Sequence, residues 1–311
     1  GKDDAEVLTR VKFSELAWTD DGRGFFYSRY PDATTAPGAD KTFEKLEKHS
    51  LYYHRLSTPQ NADVLIHAPE QASWFVQGGV TDDGRYLLVQ VEQGASEANR
   101  IAVHDLQNPK APVLGSAALA ILGEDFKSQF KVIGNTGATL YVLTTDGAPK
   151  KRVVAIDLAQ PAKAHWQVLV PEGEDVIESV TQVGGQLLVK RLHDARSQLL
   201  RYALDGKLLG EVALPGLGDV NAINGKPEDT AAWFQFTSFN QPGSHYRLPM
   251  KTGKPRLAWA PKLPFKPAAY VTEQVFYSSK DGTKVPMFIS YKKGLKKDGS
   301  NPTLLYGYGG F

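Results

Sequence analysis

The residues best placed to do chemistry stand at the carboxyl end: Tyr306-Gly307-Tyr308-Gly309-Gly310-Phe311, a glycine-dense run carrying two phenols. Residues 303–306 (Thr-Leu-Leu-Tyr) read as a short buried strand feeding that turn. Glycines at a strand end let the backbone approach a ligand closely. A fixed phenol beside them can donate to oxygen that gains negative charge in a transition state. Tyr308, flanked by glycine on both sides, is the candidate for that role. No Gly-x-Ser-x-Gly elbow occurs in the chain, so it offers no nucleophilic serine of its own. None of the seven histidines stands in a motif that marks a catalytic base. His193-Asp194 could suggest a catalytic pair, but neighbours on a strand point to opposite faces. A structural turn is the expected reading there.

The elements that must position such a turn are strands. Thr19-Asp20-Asp21-Gly22-Arg23 precedes the apolar run Phe25-Phe26-Tyr27, and Thr81-Asp82-Asp83-Gly84-Arg85 precedes Tyr86-Leu87-Leu88-Val89. Weaker copies centre on Gly137, Gly184-Gly185 and Asp229. Asp-Gly and Gly-Gly supply the positive φ that tight hairpin turns need. After each post-turn run comes another strand-like run, such as residues 101–105 or 153–157, and then a short outer strand such as 166–170. The order turn, inner strand, third strand, outer strand repeats about five times, at steps of roughly 44–62 residues, which is the signature of β-propeller blades. A β-sandwich would also supply hairpins, but has no reason to keep that register. The fold class is therefore mainly β.

At 311 residues the chain is long enough for a sizeable core. Its net charge of +2 gives no reason to expect nucleic acid or an anionic membrane as partner. The absence of cysteine removes disulfides, thiolate catalysis and cysteine-ligated zinc, and does not choose between cytoplasm and periplasm. The longest apolar stretch, residues 111–123, is too short to span a bilayer, and residues 1–4 have no signal-peptide character. The chain thus reads as the middle of a soluble protein. The charged run over residues 40–48 reads as a solvated loop or short helix. After Pro264 the repeat ends; two strands (271–277 and 285–291) and the terminal run look like the start of another domain. The boundary falls in the proline-spaced segment 261–267, giving a propeller over 1–263 and a second unit over 264–311.

The chain resembles the prolyl oligopeptidase family, serine peptidases whose α/β-hydrolase domain is capped by a propeller. The resemblance rests on Arg10-Val11-Lys12-Phe13-Ser14, Ala17-Trp18-Thr19, Asp82-Asp83-Gly84-Arg85-Tyr86, Leu192-His193-Asp194, the segment 234–239, the segment 279–288, Asp298-Gly299-Ser300 and the segment 305–311. It implies a seven-bladed type of propeller, about five blades of which lie here, followed by the first strands of the hydrolase domain. It also implies a protein about twice this length, with the catalytic serine, aspartate and histidine beyond Phe311.

Matched by position, Tyr308 is the oxyanion-binding tyrosine and Leu304 and Leu305 are core of the hydrolase sheet. Phe13 and Phe75 line an apolar peptide subsite facing the active site, with Ala95 a small residue beside them. From the residues alone, Phe13 could equally be core packing, since Val11 and Phe13 alternate with polar residues as a half-buried strand would. Glu92 stands where the mammalian-type pattern has a basic residue. The implied activity is cleavage of short peptides on the carboxyl side of proline, by a monomer without metal or organic cofactor. Two alternatives stand beside it: a non-catalytic propeller module that binds peptides or proteins, and a related oligopeptidase of other specificity.

Overall fold

The computed structural model describes residues 6–31 and 46–307. Five four-stranded antiparallel sheets follow one another along the chain. The first sheet holds β1 (Ala17–Trp18), β2 (Gly24–Arg29), β3 (Ser50–Arg55) and β4 (Val64–His67), and the second holds β5 (Phe75–Val80), β6 (Tyr86–Glu92), β7 (Asn99–Asp105) and β8 (Ala118–Leu122). The third comprises β9 (Phe130–Thr136), β10 (Thr139–Thr144), β11 (Arg152–Asp157) and β12 (Gln167–Val170). The fourth comprises β13 (Val176–Val183), β14 (Gln186–His193), β15 (Arg196–Ala203) and β16 (Leu208–Glu211). The fifth comprises β17 (Asp219–Asn224), β18 (Ala231–Ser238), β19 (Gln241–Pro249) and β20 (Arg256–Trp259). A two-stranded hairpin, β21 (Tyr270–Ser278) and β22 (Lys284–Lys292), comes last. Among the described residues there is no α-helix.

Apolar side chains on both faces of each sheet build the core between sheets. Phe26 and Leu51 of the first meet Val76 and Val89 of the second, and Ile101 and Val103 meet Leu140 and Ile156 of the third. Tyr141 and Val153 meet Ile177 and Val189 of the fourth, and Leu188 and Leu199 meet Val220 and Phe234 of the fifth. Consecutive sheets therefore stack as blades. Strand β20 is exposed throughout and marks an outer rim, so each first strand lies inward. Lys226, from the fifth blade, lines the same cavity of about 570 Å³ as Trp18, Gly79 and Asp82 of the first two, as expected for blades curving about one axis. Gly78 permits the close approach of β5 to the first blade: a Cβ there would lie 2.7 Å from Leu51 Cδ1.

The Asp-Gly turns join first to second strands. Thr19 Oγ1 and the Arg23 amide both donate to Asp21 Oδ1 (2.7 and 3.0 Å), and Thr81 and Arg85 repeat this on Asp83 (2.7 and 3.1 Å). Gly22 and Gly84 carry the required positive φ of 65° and 70°. The post-turn run is thus the second strand of its sheet, not the inner one that the repeat suggested. The truly inner strands are shorter or carry polar and glycine residues, as in Phe75-Val76-Gln77-Gly78-Gly79-Val80, and so gave a weaker hydrophobic signal.

A polar side chain at the start of a third strand ties three of the blades to the next. Phe130 N–H donates to Asn99 Oδ1 (2.7 Å) while Asn99 Nδ2 donates back to Phe130 O (2.9 Å), both buried. Val220 N–H donates to Ser197 Oγ (3.0 Å), and Val76 N–H donates to His49 Nδ1 (3.2 Å). Buried amides need such partners, because each one left unpaired costs about 1–3 kcal/mol.

Two expectations fail in the last segment. Residues 303–306 form no strand, and Leu304 and Leu305 are 91% and 83% exposed rather than core. A strand needs a neighbour to satisfy its backbone, and no described strand pairs with this run. Of the charged run, residues 40–45 lie outside the described residues, and 46–48 are irregular rather than helical.

Candidate functional site

Antiparallel order fixes which loops share a face. Starts of first strands, ends of second strands and second-to-third turns all lie at one end of the blades; the Asp-Gly turns lie at the other. Phe13 and Phe75, before β1 and at the start of β5, belong to the first end, with Glu92 at the end of β6 and Ala95 in the β6–β7 turn. The hairpin β21–β22 docks on that same end. Gln274 and Phe288 sit opposite one another in it. Gln274 Nε2 donates to Asp194 O in the β14–β15 turn, and the Phe288 ring lies 5.3 Å from Phe239 in the β18–β19 turn. All three propeller candidates therefore sit on the end of the blades that receives the hairpin.

Phe13 is not part of a strand. Arg10 and Phe13 have φ of 62° and 53°, the left-handed region, which breaks the extended run that alternation predicted. Such backbone costs a non-glycine residue about 1–2 kcal/mol and persists only where surroundings impose it. Here they do. Gln77 Nε2 donates to Phe13 O, and Glu15 N–H donates to Gln77 Oε1 at 3.4 Å. Ser28 N–H donates to Ser14 Oγ (2.7 Å), and His49 Nε2 lies 3.0 Å from Lys12 O. Held this way, the Phe13 side chain is 67% exposed, edge-on to Phe75 with ring centres 6.0 Å apart.

His49 stands behind this pair, 1% exposed, its ring 5.4 Å from Phe75 and 5.0 Å from Tyr30. Accepting from Val76 and donating to Lys12 assigns the proton to Nε2 and leaves the ring neutral. Burial pushes its pKa below the usual histidine value, against the opposing pull of its backbone hydrogen bonds and the Glu92 carboxylate. Glu92 faces Phe75 across β5–β6 and accepts from Gln90 Nε2 at 2.6 Å. Ala95 is exposed in its turn, at the same end of the blade as the aromatic pair.

Tyr308 lies outside the described residues. His193 and Asp194 make the expected turn: Asp194 and Ala195 have φ of 48° and 59°, while His193 lies 2.9 Å from Asp175 Oδ2 through Nδ1 and 3.6 Å from Asp194 Oδ2 through Nε2. Sequence reasoning missed His49 and Gln77. No motif marks either one, and their contacts span 37 and 64 residues of chain.

Stacked four-stranded antiparallel blades, the first, second and fifth of which line one cavity, define a β-propeller. The chain belongs to the family described as prolyl oligopeptidase, N-terminal beta-propeller domain, which residues 1–260 match. It is 36% identical over 310 residues to the prolyl endopeptidase of Elizabethkingia meningoseptica, covering 98% of this chain and 42% of the relative. It is 33% identical over 318 residues to prolyl oligopeptidase A of Galerina marginata, with 98% and 42% covered. Among solved structures, one from a study of two prolyl endopeptidases and their inter-domain dynamics superposes with a TM-score of 0.80 at 36% identity, covering 93% of this chain and 40% of that one. Prolyl oligopeptidase B of Galerina marginata, without ligand, gives 0.79 at 25% identity, with 93% and 40% covered. The chain thus spans about two fifths of the length of the relatives it matches.

Proposed function

We propose that this chain is the propeller part, followed by the first hydrolase strands, of a serine endopeptidase that cleaves short peptides after proline. The observation that carries the reading is the shared end of the blades: Phe13, Phe75 and Ala95 lie where the hairpin docks. An aromatic pair held exposed beside a docking domain suits the apolar residues of an extended peptide. The unit boundary is placed at 263/264, within the irregular residues between β20 and β21. Serine attack assisted by histidine and aspartate from the remainder of the protein would generate an oxyanion. The Tyr308 hydroxyl donates to that oxygen, and the propeller admits only flexible oligopeptides. A free-standing binding module gives no account of the hairpin or of its contacts with two blades. No described helix is long and apolar enough to cross a membrane.

The full-length protein should hydrolyse a proline-linked chromogenic peptide, and Tyr308→Phe should lower kcat/KM by about a hundredfold, the usual effect of losing one oxyanion donor. Absence of hydrolysis in the wild type refutes the reading; an unchanged rate in the variant removes Tyr308 from it.

A further inference from the structure

We propose that His49 is a positioning residue for substrate binding, one that converts a blade-to-blade clasp into a hold on Phe13. The inference rests on the reading of Phe13 as a peptide subsite and adds to it how that subsite is built. His49 occupies the place held by Asn99 in the second blade and Ser197 in the fourth, where a polar side chain accepts an amide of the next blade. In those two blades the side chain's hydrogen bonds stay within the blade junction: Asn99 returns its second bond to Phe130 O, and Ser197 donates to Asp219. The imidazole has nitrogens on opposite sides of its ring. It therefore accepts from Val76 at Nδ1 and reaches the Lys12 carbonyl with Nε2, next to Phe13. Its ring also lies against Phe75, the second ring of the pair, with centres 5.4 Å apart and planes tilted by 59°. Gln77 completes the hold from the inner strand by bonding both the carbonyl of Phe13 and the amide of Glu15. One buried ring thus holds the backbone before Phe13 and lies against the Phe75 ring.

The test is a comparison of variants in the full-length protein. Two proline-linked chromogenic peptides are used, one with a bulky apolar residue ahead of proline and one with glycine there. His49→Asn retains an acceptor for Val76, as Asn99 shows for Phe130, but is too short to reach Lys12. With the apolar peptide its KM should rise about fivefold with kcat within about twofold, while the glycine peptide and the thermal midpoint change little. Phe13→Ala should raise KM for the apolar peptide about tenfold. The double variant should be no worse than Phe13→Ala alone, because His49 acts through Phe13. Gln77→Leu carries the same comparison from the other side of the segment should His49→Asn fold poorly. A KM rise in Phe13→Ala with none in His49→Asn or Gln77→Leu overturns the inference and leaves the subsite standing. Additive effects, or equal losses on both peptides, overturn it as well. No change in Phe13→Ala removes the subsite and the inference with it.

Discussion

Replacing Phe13 by glycine separates a ring kept for binding from a ring kept for packing. The side chain is 67% exposed, so only about a third of it is out of water. Complete burial of such a ring is worth about 1.5–3 kcal/mol, so its loss here amounts to about 0.5–1 kcal/mol. The edge contact with Phe75 adds about 0.5–1.5 kcal/mol. Glycine's extra freedom in the unfolded chain costs about 0.5–1 kcal/mol more. Against these stands release of the left-handed strain at φ 53°, about 1–2 kcal/mol. The net loss should therefore stay near 1 kcal/mol, whereas Phe26→Ala, at a fully buried ring, should cost about 3–5 kcal/mol. Equilibrium urea unfolding of both variants, with peptidase kinetics on the full-length protein, checks this. Phe13→Gly should unfold near the wild-type midpoint and bind an apolar peptide about tenfold more weakly. A loss of 3 kcal/mol or more, with KM unchanged, would show that Phe13 serves packing and refute the argument.

Other outcomes follow from the blade junctions and the buried histidines. Asn99→Ala removes two buried hydrogen bonds and strands the Phe130 amide and carbonyl, so it should lose about 2–4 kcal/mol in urea unfolding, more than Ser197→Ala. Burial lowers the pKa of both His49 and His67 in the folded chain, so below about pH 6.5 the unfolded chain binds more protons. Stability should be full above that pH and fall as pH drops toward the folded-state values, read as a declining thermal midpoint between pH 7.5 and 5. The decline should be shallower in His49→Asn; equal slopes would show that His49 does not contribute.

What was legible in the sequence was what the chain decides locally. In Thr-Asp-Asp-Gly-Arg the threonine hydroxyl, the second aspartate and the glycine φ build the turn within five residues. The same chemistry recurs at Ser279-Lys280-Asp281-Gly282-Thr283, where Asp281 accepts from Ser279 and Thr283, so this turn type is not confined to the blades. Strand position within a blade was misjudged because the sequence of β5 shows little hydrophobic alternation of its own; its packing is set by the first sheet. The buried strand expected at residues 303–306 failed for a related reason, since hydropathy identifies a segment that can be buried but supplies no partner. Phe13 was picked out by resemblance. Its conformation was not legible, because His49 and Gln77 impose it from far along the chain.

The two ends of the blades differ in which residues carry left-handed backbone. At the Asp-Gly end the left-handed positions are chiefly glycines, among them Gly22, Gly84, Gly137, Gly184 and Gly185, where positive φ carries no side-chain penalty. At the hairpin end Gly94, Gly123 and Gly147 are joined by Arg10, Phe13, Lys48, Phe126, Lys151, Asp194 and Ala195, more residues with a Cβ than the Ser57 and Gln107 of the other end's loops. Each such residue carries a left-handed strain that glycine would not, so its conformation persists only where surrounding contacts impose it. At Asp194 the turn presents a carbonyl to Gln274 of the hairpin, and at Phe13 it presents an aromatic ring to the space beside Phe75. At these two strained positions the chain makes contact beyond its own blade.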